Sequence, residues 1–392
     1  MTNGNYLLDQ IKLGAYYFPG YHRDPATDRW HGAGWTEWDV LATARPRYTG
    51  HNQPKSAAWG RFDESDPVWA RRQVDIAAQH GIDFFIYDWY WYENGPFLNG
   101  ALDRGYLGLE GPLPTKFALM WANHDWLNIH PASTVAPPAV LFQGRVDDYQ
   151  FDSLTEEVIE KYFLNKNYFH VDGQPYFSIY EMQTFVEGMG GVTRAAGALD
   201  RFRSRVQRAG LDDIHLNLVV ADRQVLPGER QSDDVAGMIR DLGAASTTSY
   251  VWIHHYDPSQ YGFPISSYAA AAAANHQLRE SLAARQTVPY YPNVTVGWDS
   301  SPRSVQSDSY EDRGYPWLAV LEGNTPLAFR KALDDAITFE LATDHPTKIV
   351  TLNAWNEWTE GSYLLPDTKS GTAYLKACLD AKSSALNMTY KK

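Results

Sequence analysis

The chain has 392 residues, 44% of them hydrophobic, which is ample for one large core. Its 34 Lys+Arg stand against 47 Asp+Glu for a net charge of −13, without basic runs, which argues against a nucleic-acid or anionic-membrane partner. The single cysteine, Cys378, excludes an intramolecular disulfide and any multi-Cys zinc site, and its apolar setting reads as a buried structural thiol.

The first residues, Met1-Thr-Asn-Gly-Asn-Tyr-Leu-Leu-Asp-Gln, lack a basic segment followed by an apolar one. No run reaches transmembrane length, so no membrane insertion is expected. As written the chain reads as cytoplasmic, or as periplasmic or secreted if a signal peptide has been removed. Aromatics make up 14% of residues, and many stand beside Asp, Asn, His or Glu rather than inside apolar runs. That clustering suits an aromatic-lined polar cleft.

In chain order, eight β-rich runs are expected at residues 13–19, 83–90, 116–122, 174–180, 214–221, 246–252, 290–298 and 348–355. Several are continuous apolar or β-branched stretches, as strands buried on both faces are. Helical patterns follow at 66–80, 195–209, 233–242, 268–284 and 326–343, and a last helix at 372–386 would close an outer ring. Eight strand–helix units without a Pro/Gly/Ser-rich linker predict one (β/α)8 TIM barrel domain over 1–392, with long loops after strands 1 and 3. A doubly wound open sheet is the alternative, but the turn after the first strand is Pro19-Gly-Tyr-His, with no G-x-G-x-x-G.

Loops at the carboxyl ends of barrel strands form the catalytic face. There the sequence pairs aromatics with hydrogen-bonding groups at nearly every strand end: Tyr17, Asp88-Trp89 with Trp91, Trp121 with Asn123-His124, Tyr180, Tyr250 with Trp252, and Trp298-Asp299. The first long loop adds Trp35 and Trp38. The last strand ends in Thr351-Leu-Asn-Ala-Trp-Asn-Glu-Trp-Thr-Glu-Gly361, where Glu357 and Glu360 stand among Trp355, Asn356 and Trp358. Two carboxyls can serve as proton donor and as base or nucleophile at a glycosidic bond, and indoles offer flat faces to sugar rings. The expected partner is therefore an oligosaccharide or polysaccharide, bound in part by these strand-end aromatics. The pair His254-His255 on a strand would point to opposite faces, and His22, His31 and His51 match no ligand spacing, so neither metal nor cofactor is expected. No G-x-S-x-G, Walker-type loop or H-E-x-x-H is present.

Gly14-Ala-Tyr-Tyr-Phe-Pro-Gly-Tyr-His22, Gly34-Trp-Thr-Glu-Trp38, Gly50-His-Asn-Gln-Pro54, Gly81-Ile-Asp-Phe-Phe-Ile-Tyr-Asp-Trp-Tyr-Trp91, Met120-Trp-Ala-Asn123 and Asn353-Ala-Trp-Asn-Glu-Trp-Thr-Glu-Gly361 together resemble the WbsX-like family, labelled glycosyltransferases and akin to glycoside hydrolase family 99. The resemblance implies a (β/α)8 barrel and retaining hydrolysis of α-mannosidic bonds. It implies that Glu357 deprotonates the sugar 2-hydroxyl to give a 1,2-anhydro intermediate, and that Glu360 is the acid and then the base for water. It also places Tyr250 against the acid/base. Asp88-Trp89 departs from the Tyr-His pair of many members. A transferase or transglycosylase in polysaccharide assembly, or a non-catalytic glycan-binding barrel, remains an alternative.

Overall fold

The structure, a computed structural model, describes residues 11–389. The amino-terminal stretch read for a signal sequence lies outside them, and the last helix is described without the side chains of 386–389. The chain folds as a (β/α)8 barrel. Its strands are β1 (Ile11–Tyr17), β2 (Phe84–Tyr92), β3 (Lys116–Trp121), β4 (Gln174–Ile179), β5 (His215–Val219), β6 (Ser246–Thr248), β7 in two pieces (Tyr290–Tyr291 and Asn293–Thr295) and β8 (Lys348–Asn353). Each pairs in parallel with the next, and β1 pairs with β8 through Ile11↔Lys348 to Ala15↔Leu352.

The seventh strand closes the ring in an unusual way. Tyr290–Tyr291 pairs only with β6, and Asn293–Thr295 pairs only with β8. Pro292 stands between them and has no N–H for a ladder, so the strand changes partners there, while the Pro292 carbonyl still accepts from Thr351 N at 2.9 Å.

Every strand expected from sequence is present, with ends shifted by a few residues. The largest difference is at β6, which stops at Thr248; Trp252–His254 is a 3₁₀ turn rather than strand. His254 and His255 still diverge, one toward Tyr180 and the other bonded to Asp222, but because of the turn rather than strand alternation. The six expected helices are also found, and several short ones went unread, among them Pro25–His31 and Glu37–Thr43 in the first long loop. A third long connection, residues 296–325 after β7, joins the two expected after strands 1 and 3.

The barrel interior is unevenly composed. On their inward faces β1–β3 carry Tyr16, Phe84, Ile86, Ala118 and Met120, whereas β4–β8 contribute Ser178, Asn217, Ser246, Thr248, Asn293 and Thr351, each nearly fully buried. These polar side chains satisfy one another: Ser178 Oγ donates to Asn217 Oδ1 at 2.9 Å, Asn217 Nδ2 to Ser246 Oγ at 2.9 Å and Asn293 Nδ2 to Thr351 Oγ1 at 3.1 Å. Paired in this way, they cost little to bury. Cys378 is buried in the last helix, and burial pushes its thiol pKa upward. Among the described residues no helix is long and apolar enough to cross a membrane.

That last helix, Ala373–Thr389, is pinned to the bottom of the barrel by Lys382. Its Nζ donates to Asp83 Oδ2 at 2.5 Å and to the Gly81 carbonyl at 3.2 Å, and the same Asp83 oxygen accepts from Leu13 N at 2.7 Å. Removing a mostly buried donor strands a carboxylate, so Lys382→Ala should lower stability by roughly 1–3 kcal/mol. Urea unfolding of the two proteins at equal pH measures this.

Candidate active site

After β8 the chain forms a two-stranded ribbon, Asn356–Glu357 against Ser362–Tyr363, closed by a 3₁₀ turn at Trp358–Glu360. A 3₁₀ turn has three residues per turn, so positions i and i+3 eclipse. Glu357 and Glu360 therefore leave the backbone on one side. Trp358 leaves on the other, where it stacks on Tyr363 with centroids 3.8 Å apart and packs against Trp38. Gly361 ends the turn at φ 66°, and a Cβ there would lie 2.6 Å from Asp299 Cβ, so the position admits no other residue without a shift. Asn356 fastens the ribbon to the end of β1, accepting from Phe18 N at 2.8 Å and donating to Phe18 O at 2.7 Å. Behind it, buried Glu64 accepts from Tyr21 N at 2.7 Å and Tyr17 OH at 3.1 Å and contacts His22 Nδ1 at 2.9 Å.

Arg303, from the loop after β7, is the group that holds the two acids. It is only 5% exposed. Nη1 donates to Glu360 Oε1 at 2.7 Å and to Tyr315 OH at 2.7 Å, Nη2 to Glu357 Oε2 at 3.2 Å, and Nε to Thr359 Oγ1 at 2.9 Å. Nη2 also faces Glu37 Oε1 at 3.5 Å, and His130 Nε2 lies 2.8 Å from that same oxygen. Tyr315 OH in turn donates to Glu360 Oε1 at 2.8 Å.

Burial and the charge of Glu360 push the Glu357 carboxyl well above the usual range, with Arg303 opposing. Burial also raises Glu360, against Arg303 and the Tyr315 hydroxyl. Burial alone would raise Glu37 too, yet Arg303 and His130 outweigh it and bring it down to about 2. A fourth acid, Asp88, is raised strongly by burial; its Oδ2 accepts from Tyr250 OH at 2.9 Å, and its Oδ1 has no hydrogen-bond partner.

Apart from Glu37, these acids lie at one open cleft. Asp88, Glu357, Glu360 and Arg303 meet there, and its walls include Phe18, Tyr90, Trp126, Tyr180, Tyr250 and Trp298. Tyr180 is fixed by Glu229, to which its hydroxyl donates at 2.6 Å, and His254 Nε2 stands 3.2 Å from that hydroxyl. Glu229 is brought down to about 2 despite burial, because of His254 and the bonds from Tyr180 and Val225 N. Aromatic faces around clustered carboxyls can stack a pyranose ring while an acid and a base act on it.

Of the residues singled out from sequence, Asp88, His124, Tyr180, Tyr250, His254, Trp298, Glu357 and Glu360 line this cleft. The others do not. Trp89 and Trp91 stack on each other outside the barrel, and Trp89 Nε1 donates to Tyr162 OH at 3.3 Å. Trp121 packs on Phe151 and Phe185, Trp252 on Tyr268, and Trp38 on Tyr21 and Phe62. Tyr17, Asn123, Asn356 and Trp358 brace the loops behind the cleft; Asn123, for instance, accepts from Glu181 N at 2.8 Å and donates to Glu181 O at 2.8 Å. Trp35 stacks on His31 and meets the cleft only through His130. Asp299 accepts from His51 Nε2 at 2.9 Å and Gln53 Nε2 at 2.6 Å in a separate buried network. His22, His31 and His51 thus sit in three different settings. Tyr250 bonds to Asp88, and the tyrosine that touches Glu360 is Tyr315, which sequence reasoning passed over.

Arg303, Glu37, Tyr315 and His130 were all missed. Glu37 lay inside the quoted Gly34-Trp-Thr-Glu-Trp38, where attention went to the indoles. The available signal for Arg303 was indirect: two buried acids need a cation, and the long loop after β7 had to supply something.

The match to known families decides the lineage. The chain belongs to the family described as Glycosyltransferase WbsX, whose model matches residues 13–378. It is 27% identical over 395 residues to the uncharacterized protein WxcX of Xanthomonas campestris pv. campestris (strain B100), covering 95% of this chain and 50% of that one. The chain thus spans about half the length of the curated relatives it matches. Among solved structures it is similar to the GH99 endo-α-mannosidase from Bacteroides thetaiotaomicron, with TM-score 0.54 and 12% identity over 98% of this chain and 99% of that one. The complex of that enzyme with bis-tris-propane gives TM-score 0.56 and 11% identity over 97% and 99%. A glycoside hydrolase-like protein gives TM-score 0.60 and 15% identity over 95% and 94%. At such identities the likeness speaks for the fold alone, a TIM barrel.

Two predictions follow from this geometry. Trp89→Ala should cost roughly 3–5 kcal/mol of stability, the range for truncating a buried large ring. Its effect on KM in the surviving folded protein should be small, as thermal unfolding and kinetics on the same sample will test. The Glu357 carboxyl, raised above its ordinary 4.5, binds its proton more tightly when folded than when unfolded. Its contribution is therefore full below pH 4.5 and is lost as pH climbs through the raised folded value. Wild-type melting temperature should fall over that climb, and Glu357→Gln should flatten the fall; parallel slopes in both proteins would refute it.

Proposed function

We propose that this barrel is a glycoside hydrolase that cleaves α-mannosidic or related linkages of a glycan with retention. The observation that carries the reading is the Glu357–Glu360 pair, presented on one 3₁₀ turn at an aromatic-walled cleft and gripped by a single guanidinium. The family 99 endo-α-mannosidase structures support it through the fold.

The reaction runs in two inversions. Glu357 takes the proton of the 2-hydroxyl, and O2 attacks C1 as the C1–O bond to the leaving group breaks. Glu360 gives its proton to the departing oxygen. In an α-mannoside O2 and the leaving oxygen lie on opposite faces of the ring, so the internal attack comes from behind. Water then opens the 1,2-anhydro sugar at C1, losing a proton to Glu360 while O2 regains one from Glu357. Arg303, by binding both carboxyls, holds them in register throughout.

If Glu357 acts on the 2-hydroxyl, 2-deoxy and 2-O-methyl mannosides should bind and remain uncleaved. Glu360→Gln should lose a hundredfold or more, on the order expected for a general acid, on substrates with poor leaving groups and much less on aryl mannosides. A 2-fluoro sugar trapped as an ester on Glu357, seen by mass spectrometry, would overturn the anhydro route and make Glu357 a nucleophile.

The family's description favours a second reading, in which the same cleft passes the sugar to an acceptor hydroxyl instead of water. Incubation with mannoside donors, with and without oligosaccharide acceptors, separates the two. Hydrolysis gives free sugar at a rate independent of acceptor, whereas transfer gives elongated product that rises with acceptor at the expense of free sugar.

A further inference from the structure

The Glu37 carboxylate lies behind the cleft rather than along it, only 1% exposed, on the short helix Glu37–Thr43 of the first long loop. It reaches the reacting acids only through Arg303. Four N–H bonds of that guanidinium are taken, by Thr359, Tyr315, Glu360 and Glu357, and Nη2 also forms an ion pair with Glu37 Oε1 at 3.5 Å. One positive charge therefore faces three carboxyl groups. If all three were ionised, three negative charges would face Arg303 with only the His130 imidazole beside Glu37 to offset them further, and burying that imbalance is costly.

We propose that Glu37 is a positioning residue that occupies the charge of Arg303 and so keeps one proton on the Glu357–Glu360 pair in the resting protein. Glu37 is the member of the three that stays ionised, because His130 Nε2 lies 2.8 Å from the same Oε1 that faces Arg303. The pair is left to share what remains. Of its other titratable neighbours, only His254, from the loop after β6, pulls Glu360 down, and it is shared with Glu229 3.5 Å away; Asp88 and Tyr90 from β2, Tyr250 from the loop after β6, Tyr315 from the loop after β7 and Tyr21 from the loop after β1 add no positive charge. Around Glu37 itself stand Arg303, His130, Tyr21, His31 and Thr359.

The consequence for catalysis rests on the hydrolase reading above; the proton itself does not. One proton on two carboxyls is the state in which one can act as acid while the other acts as base. Without the Glu37 charge, Arg303 would act undiluted on the pair, and the proton would leave at lower pH. Any activity with a bell-shaped pH profile should then move bodily to lower pH, by about one unit, the lower end of what a close charge does to a carboxyl.

The test is infrared titration of the protonated-carboxyl band in the full chain, which needs no substrate. Wild type should show such a band at neutral pH that disappears in Glu357→Gln, separately from any band lost in Asp88→Asn. In Glu37→Gln the pair's band should titrate about one unit lower. Glu37→Asp, which keeps the charge, should bring the midpoint back toward wild type. If the pair is fully ionised at neutral pH in wild type, the proposal is wrong, and that result requires no Glu37 variant to fold. A folded Glu37→Gln with an unmoved midpoint, or one whose KM rises while its pH profile stays put, likewise overturns it. Should the band shift as expected while no mannoside is cleaved, the hydrolase reading fails and the role of Glu37 stands.

Discussion

One buried guanidinium organises the catalytic face. Arg303 draws Glu357 and Glu360 from the end of β8, Glu37 from the loop after β1 and Tyr315 from its own loop after β7 into a single ion cluster. Each of those segments lies beyond the end of a barrel strand, and Arg303 ties them to one another. Breaking a buried cluster by deleting its sole central cation leaves several unpaired charges, which is among the costliest single changes a fold can suffer. The same interaction that positions the loops also sets the protonation of the acids, so fold and chemistry share one dependence.

The remainder of the face is arranged to let that cluster sit at the foot of a cleft. The 3₁₀ turn aligns the two glutamates, Gly361 closes it where a Cβ would meet Asp299, and the Asn356 amide ties it to Phe18. Tyr250 and Tyr180 are each held by a buried carboxyl, Asp88 and Glu229. Rings fixed in this way can present a face to a sugar at little further cost in side-chain freedom.

Much of the fold was legible because buried parallel strands announce themselves as apolar runs and helices by their period. The Glu357–Glu360 pair was legible because two acids and two indoles after such a run are hard to explain otherwise. Strand alternation explains what went astray among the aromatics. On β2, Asp88 and Tyr90 turn to the cleft, so Trp89 and Trp91 must turn away; on β3, Met120 faces the cleft and Trp121 faces the helices. Applying that period to the strand ends would have moved these indoles from the cleft to the outer core. Arg303 was not legible in this way. Ser301-Pro-Arg-Ser carries no periodic signal, and its place beside residues more than fifty positions away is a property of the closed barrel. The break of β7 at Pro292 had a sequence sign in the proline itself, but which neighbour each half would pair with did not.

In the proposed route hydrolysis and transfer differ only in what attacks the anomeric carbon, so the family's description and the proposed hydrolysis share the first half of the reaction. In the proposed route both use the paired acids on opposite sides of one glycosidic bond, and both return C1 to its starting configuration. The most direct measurement is therefore the anomeric configuration of the first-formed product, followed by proton NMR during cleavage of a defined α-mannoside before mutarotation sets in. The account predicts the α-anomer first, and none in Glu360→Gln on the same time scale. A β-anomer formed first would mean a single displacement by water, and would contradict the roles assigned here to Glu357 and Glu360.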